Sequence, residues 1–254
     1  MKALILAAGQ GSRLSPLTDN KPKCMVEYNN KPILEYALDT LKDNDLDVKI
    51  VVGYKKEVIE EFVKDTDIDL FINPDYNVTN MVYSLFCAES ELNDDIIISY
   101  GDIIYTSEII DKLVNSEDQI SVIVDRKWRE LWEIRMENPL EDAETLKLDS
   151  NDNIQEIGQK AASYDDIQGQ YIGLIKIKKK ALKKVKDFYN ALDKTAVYEG
   201  KNFNNMYMTC FLQLIIDKVM PVKAVHIDGG WIEIDTCQDL NRYSKLNSRF
   251  ERSN

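Results

Sequence analysis

The chain has 254 residues, 44% of them hydrophobic, and its 32 Lys and Arg against 44 Asp and Glu give a formal net charge of −12. Nucleic-acid backbones are bound by basic faces, so this charge argues against a nucleic-acid partner. No apolar run reaches the roughly eighteen residues that a transmembrane helix needs, and the N-terminus lacks the basic segment and cleavage site of a signal peptide.

The first half of the chain predicts alternating strands and helices. Apolar runs predict strands at 3–6, 48–52, 68–72, 96–100 and 119–124. Apolar residues at helical spacing predict helices that open at Pro32 and cover 56–64, 80–91 and 107–115, with Thr79 capping the third. This alternation is typical of an α/β fold with a largely parallel sheet.

From about Trp128 the predicted elements change in character. A short helix at 128–136 and an acidic turn at 138–142 precede predicted strands at 144–148, 154–158 and 171–177. Helices are predicted at 179–192 and 205–218, strands at 222–227 and 231–234, and a closing helix at 238–250. No internal repeat or long linker interrupts the chain, so we expect one domain with a β-rich insertion in its second half.

The cysteines indicate the redox compartment. Cys24, Cys87, Cys210 and Cys237 are scattered and form no C-x-x-C pair. Such thiols are typical of reduced cysteines in a cytoplasmic protein. We therefore expect a cytoplasmic monomer or homodimer that is not inserted in a membrane.

The loop after the first strand has the features of an anion site. Small residues at Ala7, Ala8, Gly9 and Gly11 allow a ligand to approach the backbone N–H groups, and Arg13 and Lys23 follow in the same loop. Free amides together with fixed cations favour a polyphosphate.

Two common phosphate-binding motifs do not fit this loop. The Walker A pattern is absent, and the dinucleotide fingerprint would need a third glycine where Leu14 stands. Pro16 and Pro22 also keep the loop irregular where that fingerprint would open a helix. A long loop around a nucleoside triphosphate, with cations neutralising the phosphates, is the remaining option.

At this point the sequence resembles the sugar-phosphate nucleotidylyltransferase superfamily. The resemblance rests on Leu6-Ala-Ala-Gly-Gln-Gly-Ser-Arg13, Pro16-Leu17-Thr18, Pro22-Lys23, Gly101-Asp102, and Trp231-Ile-Glu-Ile-Asp-Thr236. It implies a Rossmann-like three-layer α/β fold, with a central mostly parallel sheet and an inserted β-rich part that binds the acceptor. We expect a nucleotide-binding half at 1–125, an acceptor-binding half at 126–235 and a C-terminal helix at 236–254.

The same resemblance implies roles for individual residues. Arg13 and Lys23 would be catalytic residues on the triphosphate, and Asp102 and Asp235 would hold Mg²⁺. Asp102 also follows a buried strand, where ligands of open α/β sheets gather, and Mg²⁺ prefers carboxylates, phosphate oxygens and water. The expected nucleotide-binding residues are Leu6, Ala7, Ala8, Gly9, Gly11, Ser12, Asn80 and Ser84. The plainer alternatives are that Asp102 is a turn residue and that Asp235 stabilises the start of the last helix.

The implied reaction is attack by an acceptor phosphate or phosphonate oxygen on the α-phosphorus, with pyrophosphate leaving. A phosphate monoester has a second pKa of about 6, so no general base is required. Catalysis would rest on positioning and charge neutralisation. The only histidine, His226, lies in a predicted strand and is expected to be structural.

Within the superfamily the chain looks most like cytidylyltransferases of the phosphocholine and aminoalkylphosphonate type, which implies CTP as the nucleotide. The features that support this resemblance are the compact length, the start of the helix at Asn80, and Glu233-Ile-Asp-Thr236 with Asp239-Leu240. Sugar-type members carry Glu-Lys-Pro where this chain has Gln159-Lys160-Ala161 and keeps only the lysine. A sugar-1-phosphate nucleotidylyltransferase that uses UTP or dTTP is the alternative.

The acceptor site is sought in the second half of the chain. Arginines, aromatic faces and carboxylates suit a zwitterionic acceptor with a phosphoryl group and an ammonium group. The candidate residues are Trp128, Arg129, Trp132, Arg135, Glu141 and Lys160, with Arg126, Asp142 and Glu144 contributing charge. The alternative is that both tryptophans are core residues and the charges form a solvated helix face.

Two further readings stay open. A glycosyltransferase of related fold would carry D-x-D, whereas Asp102 is followed by Ile103 and Ile104. A non-catalytic nucleotide-binding module would not need Arg13, Lys23, Asp102 and Asp235 together. The activated product would serve surface polysaccharide or lipid decoration.

Overall fold

A computed structural model describes residues 1–243 of the chain. These residues form fifteen β-strands. In chain order the strands are β1 (Lys2–Ala7), β2 (Glu27–Tyr28), β3 (Lys31–Pro32), β4 (Asp47–Val52), β5 (Asp69–Ile72), β6 (Ile96–Tyr100), β7 (Ile103–Tyr105), β8 (Ile120–Asp125), β9 (Glu144–Leu148), β10 (Ile154–Lys160), β11 (Gln170–Ile177), β12 (Val197–Tyr198), β13 (Lys201–Asn202), β14 (Lys223–Ile227) and β15 (Trp231–Glu233).

The same residues form eight α-helices and six short 3₁₀ helices. The α-helices are α1 (Ile33–Asp43), α2 (Lys56–Val63), α3 (Met81–Cys87), α4 (Ser107–Val114), α5 (Trp128–Arg135), α6 (Lys179–Ala191), α7 (Met208–Lys218) and α8 (Cys237–Tyr243). The 3₁₀ helices are Ser12–Leu14, Lys23–Met25, Glu89–Glu91, Pro139–Glu141, Tyr164–Asp166 and Phe203–Asn205. Within residues 1–243, none of these helices has the length and apolar character to span a bilayer.

A seven-stranded sheet in the order β14-β8-β11-β6-β1-β4-β5 lies at the centre. β1 pairs in parallel with β4 and β6, whereas β11 runs antiparallel to both of its neighbours, β6 and β8. The predicted α/β fold with a mostly parallel sheet is therefore confirmed. The sheet is continuous across the predicted boundary at 125, because β11 and β14 join strands from the first half.

Helices cover both faces of the sheet, which makes three layers. Ala3 and Ile5 of β1 pack with residues of α1, α2, α4 and α5, and Leu4 and Leu6 pack with residues of α3, α6 and α7. This is the alternation expected of a strand whose two faces are both buried. The carboxyl ends of β1 and β6 thus lie at one edge of a rigid sheet.

A third, smaller core fixes the loop after β1. Leu14 is fully buried and packs in one cluster with Ile104, Ile234 and Tyr243. The Thr18 hydroxyl donates to the carbonyl of Gly11 at 3.0 Å. The loop is therefore held by packing at Leu14, which positions the neighbouring Arg13.

Several predicted boundaries differ from the structure. Pro32 is the cap residue before α1 rather than its first residue. Asn80, not Thr79, caps α3, because the Asn80 side chain accepts from the Met81 N–H at 2.8 Å. The Thr79 hydroxyl instead donates to the Asp75 carbonyl.

Other differences concern the length of elements. The predicted helix 80–91 ends at Cys87, and the predicted helix 205–218 begins at Met208. The predicted closing helix begins at Cys237, and its part beyond Tyr243 lies outside the described residues. Strand β7 and the pairs β2–β3 and β12–β13 have no counterpart in the prediction, because two- and three-residue strands leave no periodic signal.

Candidate active site

A first cavity of about 160 Å³ opens at the carboxyl ends of β1 and β6. Ligands of open α/β sheets bind at this edge. Its lining residues are Leu6, Ala7, Ala8, Gly9, Lys23, Cys24, Tyr76, Thr79, Asn80, Met81, Ser84, Tyr100, Gly101 and Asp102. The cavity therefore combines bare backbone from β1 with the start of α3 and the residues after β6.

Gly101 lets the two strand ends come close together. Its N–H donates to the Leu6 carbonyl at 3.1 Å. A Cβ at position 101 would lie 2.8 Å from that carbonyl oxygen and 3.2 Å from the Cα of Ala7. Only glycine fits this approach without moving the backbone, and the approach places Asp102 directly beside the end of β1.

A second cavity of about 230 Å³ adjoins the first. Asn80, Met81 and Tyr100 line both cavities. The other residues of the second cavity are Arg13, Trp132, Asp142, Glu144, Gln170, Tyr171, Ile172, Gly173, Tyr207, Met208, Thr209, Trp231, Glu233 and Asp235. Most of them come from the second half of the chain, so the two cavities can hold two different substrates side by side.

Three carboxylates lie where the cavities meet. Asp102, Glu233 and Asp235 each offer an oxygen, and these oxygens all lie within 4.8 Å of one another. β15 pairs antiparallel with β7, and the Ile234 N–H donates to the Asp102 carbonyl at 3.1 Å. This pairing brings residues more than 130 positions apart in the chain into one cluster.

The carboxylate cluster fits a divalent cation. Its donors are hard carboxylate oxygens, which Mg²⁺ prefers. The Asp102 Oδ1 atom is buried and has no hydrogen-bond partner among residues 1–243. A buried acceptor without a partner is costly, and a metal ion bound by these carboxylates would satisfy it.

Lys23 reaches the same cluster. Its Nζ lies 2.6 Å from an Asp102 carboxylate oxygen and also contacts Asp235. Burial lowers the pKa of Lys23, but the charges of Asp102, Asp235 and Glu233 outweigh it, so the pKa lies above its usual value. Lys23 is therefore held as an ammonium at the junction of the two cavities.

Arg13 approaches the cluster from the solvent side. Its guanidinium lies 3.1 Å from Asp235, and 65% of its side chain is exposed. It also lines the second cavity. A buried lysine and an exposed arginine thus face the carboxylates from two directions.

Burial and charge act differently on the pKa values of Glu233, at the end of β15, and of Asp235, two residues later. Burial raises the pKa of Asp235, but Lys23, Arg13 and Arg135 outweigh it and hold that pKa below its usual value. Burial, helped by the charge of Asp235, raises the pKa of Glu233 to about 8. Asp235 is thus the more strongly ionised of the two.

Arg135 lies behind the cluster, with 3% of its side chain exposed. Its guanidinium donates to Glu233 at 2.6 Å, to Asp235 at 3.3 Å and to Asp239 at 3.4 Å. The predicted role of Arg135 as a donor to the acceptor phosphoryl group does not agree with this geometry. Its donors are already directed at carboxylates, so it neutralises the acidic cluster.

Asp239 fixes the backbone of the cluster. Its carboxylate accepts from the N–H groups of Asp235 and Thr236 at 3.0 and 2.8 Å. It thereby connects the first turn of α8 to the end of β15, and the Asp235 side chain is aimed by this turn.

The predicted acceptor residues separate into two groups. Trp132 lines the second cavity, and its indole N–H donates to Asp142 at 3.0 Å. Trp128 lies on the same side of α5, is as buried as Trp132 (4% and 5% exposed), and packs edge-to-face against it. Trp128 lines neither cavity, so the alternative of a core tryptophan describes it better.

Three further acceptor candidates lie away from the cavities. Arg129 pairs with Glu133 at 2.7 Å and stacks over the ring of Tyr164. Glu141 and Lys160 are exposed and line neither cavity. Lys160 is the register partner of Glu144, which lines the second cavity, but Lys160 itself does not line it. None of these three residues lines either of the two cavities, so their predicted contact with the acceptor is not supported by this geometry.

The predicted nucleotide-binding residues lie mostly at the first cavity. Leu6, Ala7, Ala8, Gly9, Asn80 and Ser84 all line it. Gly11 and Ser12 do not. Gly11 has φ +70°, and a Cβ there would lie 2.6 Å from the Cβ of Lys23. Gly11 is thus needed to make room for Lys23, while Ser12 is exposed in the short 3₁₀ helix that carries Arg13.

The sequence predicts that Glu144 contributes charge at the acceptor site, but it does not assign Glu233, Gln170 or Thr209 to the site. Glu233 carried a usable signal, because it stands two residues before Asp235 at the end of a strand, where alternate side chains share a face. Gln170 and Thr209 come from β11 and α7, which only the fold brings together with β9. No local pattern marks them.

Comparison with known proteins agrees with this geometry. The profile of the MobA-like NTP transferase domain matches residues 3–166. The chain belongs to the MobA-like NTP transferase family. This NTP transferase is therefore a nucleotidyltransferase, and its glycine-rich loop, Lys23 and Asp102 all fall within the matched segment.

Individual relatives of this NTP transferase are cytidylyltransferases. The CTP:phosphoglutamine cytidylyltransferase of Campylobacter jejuni is 48% identical over 248 residues, which cover 94% of this chain and 98% of that protein. The choline-phosphate cytidylyltransferase of Streptococcus pneumoniae is 37% identical over 117 residues, which cover 46% of this chain and 51% of that protein.

The fold is also found among solved structures. The structure of a CTP:phosphocholine cytidylyltransferase from Streptococcus pneumoniae superimposes with a TM-score of 0.73 and 24% sequence identity. The match covers 97% of this chain and 99% of that one. The three-layer nucleotidyltransferase fold therefore extends over nearly the whole chain.

Proposed function

We propose that this NTP transferase moves a CMP group from CTP to a small phosphorylated acceptor and releases pyrophosphate. The observation that carries the proposal is that two adjoining cavities meet at one cluster of three carboxylates and a buried lysine. The first cavity would hold the nucleotide and the second the acceptor. The choice of CTP rests on the 48% identical relative, which is a CTP-dependent enzyme and aligns over almost its full length.

The reaction would be an in-line displacement at the α-phosphorus of CTP. An oxygen of the acceptor phosphate forms a new bond to this phosphorus, and the bond to the oxygen that bridges to the β-phosphate breaks. Pyrophosphate leaves with that electron pair. An acceptor phosphate is largely dianionic at neutral pH, its second pKa being about 6, so no side chain has to remove a proton.

The chain contributes charge and position to this step. The buried Lys23 ammonium would stabilise negative charge that develops on the phosphates, and the exposed Arg13 would close onto them from the solvent side. The β1 backbone from Leu6 to Gly9 would face the nucleobase and ribose. Orienting both substrates across the junction of the cavities supplies the proximity that the reaction needs.

Asp102 and Asp235 would hold the metal, with Glu233 as a third donor. Mg²⁺ is the cofactor that we propose, because the cluster offers carboxylates and leaves other positions for phosphate oxygens and water. When bound, Mg²⁺ would supply charge neutralisation at the phosphates.

The surroundings of the enzyme are proposals as well. The four cysteines are free thiols, and a nucleoside triphosphate is an intracellular substrate, so we place the enzyme in the cytoplasm as a monomer or homodimer. The cytidylyl-activated product would serve the decoration of surface polysaccharide or lipid.

A pyrophosphate-release screen tests the proposal. CTP, UTP, dTTP, ATP and GTP are each combined with phosphoglutamine, phosphocholine, phosphoethanolamine, aminoethylphosphonate and glucose 1-phosphate, with and without Mg²⁺. We expect release with CTP and an amine-bearing acceptor, abolished by chelation of the metal. Release with UTP or dTTP and glucose 1-phosphate would instead favour a sugar-1-phosphate nucleotidylyltransferase. CTP binding without release from any pair would favour a non-catalytic nucleotide-binding module.

A further inference from the structure

The second cavity has an unequal distribution of charge. Away from its junction with the first cavity, two carboxylates line it, those of Asp142 and Glu144. The only cationic side chain among its lining residues is Arg13, which lies beside Asp235 at the junction. The far part of the cavity is therefore negative and is bounded by the rings of Trp132, Tyr171 and Tyr207.

The carboxylates of this cavity differ in whether they already have partners. Asp142 accepts from the Trp132 indole N–H, and Glu233 and Asp235 are bound by Arg135. The carboxylate of Glu144 makes no hydrogen bond and no ion pair with any residue of the described chain, 1–243. Glu144 is therefore the one acidic lining residue whose charge is left for a ligand, within that part of the chain.

The backbone of Glu144 is nevertheless held firmly. Its N–H donates to the side-chain oxygen of Gln170 at 3.2 Å, and its carbonyl accepts from the side-chain amide of Gln170 at 2.5 Å. Gln170 is buried and begins β11. This double contact fixes the start of β9, so the Glu144 side chain projects from a rigid position on the cavity wall.

The environment of Glu144 also favours a cation. Its side chain is open to the water of the cavity, yet the surrounding walls displace enough solvent to raise its pKa to about 7, helped by the charges of Asp142 and Glu199. A positive group placed beside Glu144 and Asp142, which both line the cavity, would be attracted by both carboxylates and would lower that pKa again.

We propose that Glu144 selects acceptors that carry a positively charged amine or quaternary ammonium group at the end opposite the phosphate. This inference rests on the proposed function, because it takes the second cavity as the acceptor site. The acceptor phosphate then lies toward Arg13 and the metal-binding carboxylates, and the cationic end lies between Glu144 and the aromatic rings. Glu144 is a specificity-determining residue and takes no part in the phosphorus chemistry.

Pairs of acceptors with the same shape but different charge test this proposal. Phosphoethanolamine is compared with propyl phosphate, and phosphocholine with 3,3-dimethylbutyl phosphate, in which a carbon replaces the charged nitrogen. Phosphoglutamine and glucose 1-phosphate complete the panel. The kcat and KM for each acceptor are measured from pyrophosphate release, with CTP saturating, for the wild type, Glu144→Gln and Glu137→Gln. Glu137 is exposed and lines neither cavity, so its variant makes the same change of charge outside the site.

For the wild type we expect kcat/KM to favour the charged member of a pair by about tenfold or more. Glu144→Gln should remove most of that preference by raising KM for the charged acceptors, with kcat and the values for neutral acceptors nearly unchanged. Glu137→Gln should behave like the wild type. This KM effect confined to charged acceptors would not follow from a general loss of folding.

Three outcomes would overturn the proposal. One is a wild type that uses neutral and charged members equally well, and another is a wild type that uses only glucose 1-phosphate. The third is a Glu144→Gln variant that keeps the full preference for charge. In each of these cases nucleotidyl transfer itself still stands. A wild type that releases no pyrophosphate with any acceptor would overturn the proposed function as well.

Discussion

At the scale of single residues, Lys23 has the most demanding position in the site. Its ammonium touches two of the three carboxylates that would bind a metal ion, and it also lines the first cavity. The position exists because Gly11 leaves the space that the Lys23 side chain fills. A charge held in this way stabilises phosphates without first having to be reoriented.

Replacing Lys23 by alanine is expected to reduce kcat by about 10²- to 10³-fold, the loss typical of a preorganised electrostatic contact to the reacting group. Pyrophosphate release with saturating CTP and acceptor measures the effect. Lys49→Ala is the control, because Lys49 also bridges two carboxylates, Asp47 and Asp69, but does so on β4, away from both cavities. A Lys23→Ala enzyme with wild-type turnover would contradict the role assigned to Lys23.

At the scale of elements, the site depends on how α5 is joined to β15 and α8. Arg135 is on the last turn of α5. Its partner Glu233 is the last residue of β15, Asp235 follows this strand, and Asp239 is in the first turn of α8. Burial lowers the pKa of Arg135, but the surrounding carboxylates outweigh it and hold that pKa above its usual value. Glu233, Asp235 and Asp239 can lie close together because the buried guanidinium of Arg135 pairs with all three.

Replacing Arg135 by methionine should lower the free energy of unfolding by about 3–5 kcal/mol, because it leaves buried carboxylates without their partner. Arg129→Met is the matched control on the same helix. Its exposed pair with Glu133 should contribute less than about 1 kcal/mol. Urea unfolding of both variants measures the difference. Equal losses for the two variants would show that the buried network does not stabilise the chain.

The elements also show how far the sequence could be interpreted. The long strands and helices were predicted because apolar periodicity is local, and most of their ends agree with the structure to within one residue. The cap of α3 was assigned to Thr79 although Asn80 fills that role, since both residue types can cap and only the actual backbone turn decides. Trp128 and Trp132 are one turn apart on α5, yet only Trp132 faces a cavity. Which of two neighbouring aromatic residues meets the core is decided by the elements that pack on them.

At the scale of the whole molecule, the two cavities differ in how well the sequence could predict them. The first is built from the end of β1 and its loop, the start of α3 and the residues after β6, and short local motifs mark these segments. The second draws on β9, β11, α7 and β15, which are contributed by segments far apart in the chain. The sequence therefore indicated nucleotidyl transfer and placed Glu144 only among several charged acceptor candidates, while the position of Glu144 on the cavity wall is decided by the fold.

The stability of the whole chain should report the state of Glu144. In the folded protein, burial and the charges of Asp142 and Glu199 raise the pKa of Glu144 to about 7, against an ordinary value of 4.5. Between these two pH values the folded state binds the proton more tightly than the unfolded state, so this carboxyl costs stability increasingly as the pH rises from about 4.5 to about 7.

Glu144→Gln removes that cost. We expect the variant and the wild type to have similar melting temperatures at about pH 4.5, and the variant to melt at a higher temperature than the wild type above about pH 7, since only the wild type then carries the desolvated charge. Thermal denaturation across this range measures the difference. At high pH, a saturating amine-bearing acceptor should make the wild type melt at a higher temperature than the variant. The cation stabilises ionised Glu144 and has no such partner in the variant. Glu137→Gln removes an exposed carboxylate and should show neither effect. A difference in melting temperature between Glu144→Gln and the wild type that depends on neither pH nor acceptor would contradict the assignment of Glu144.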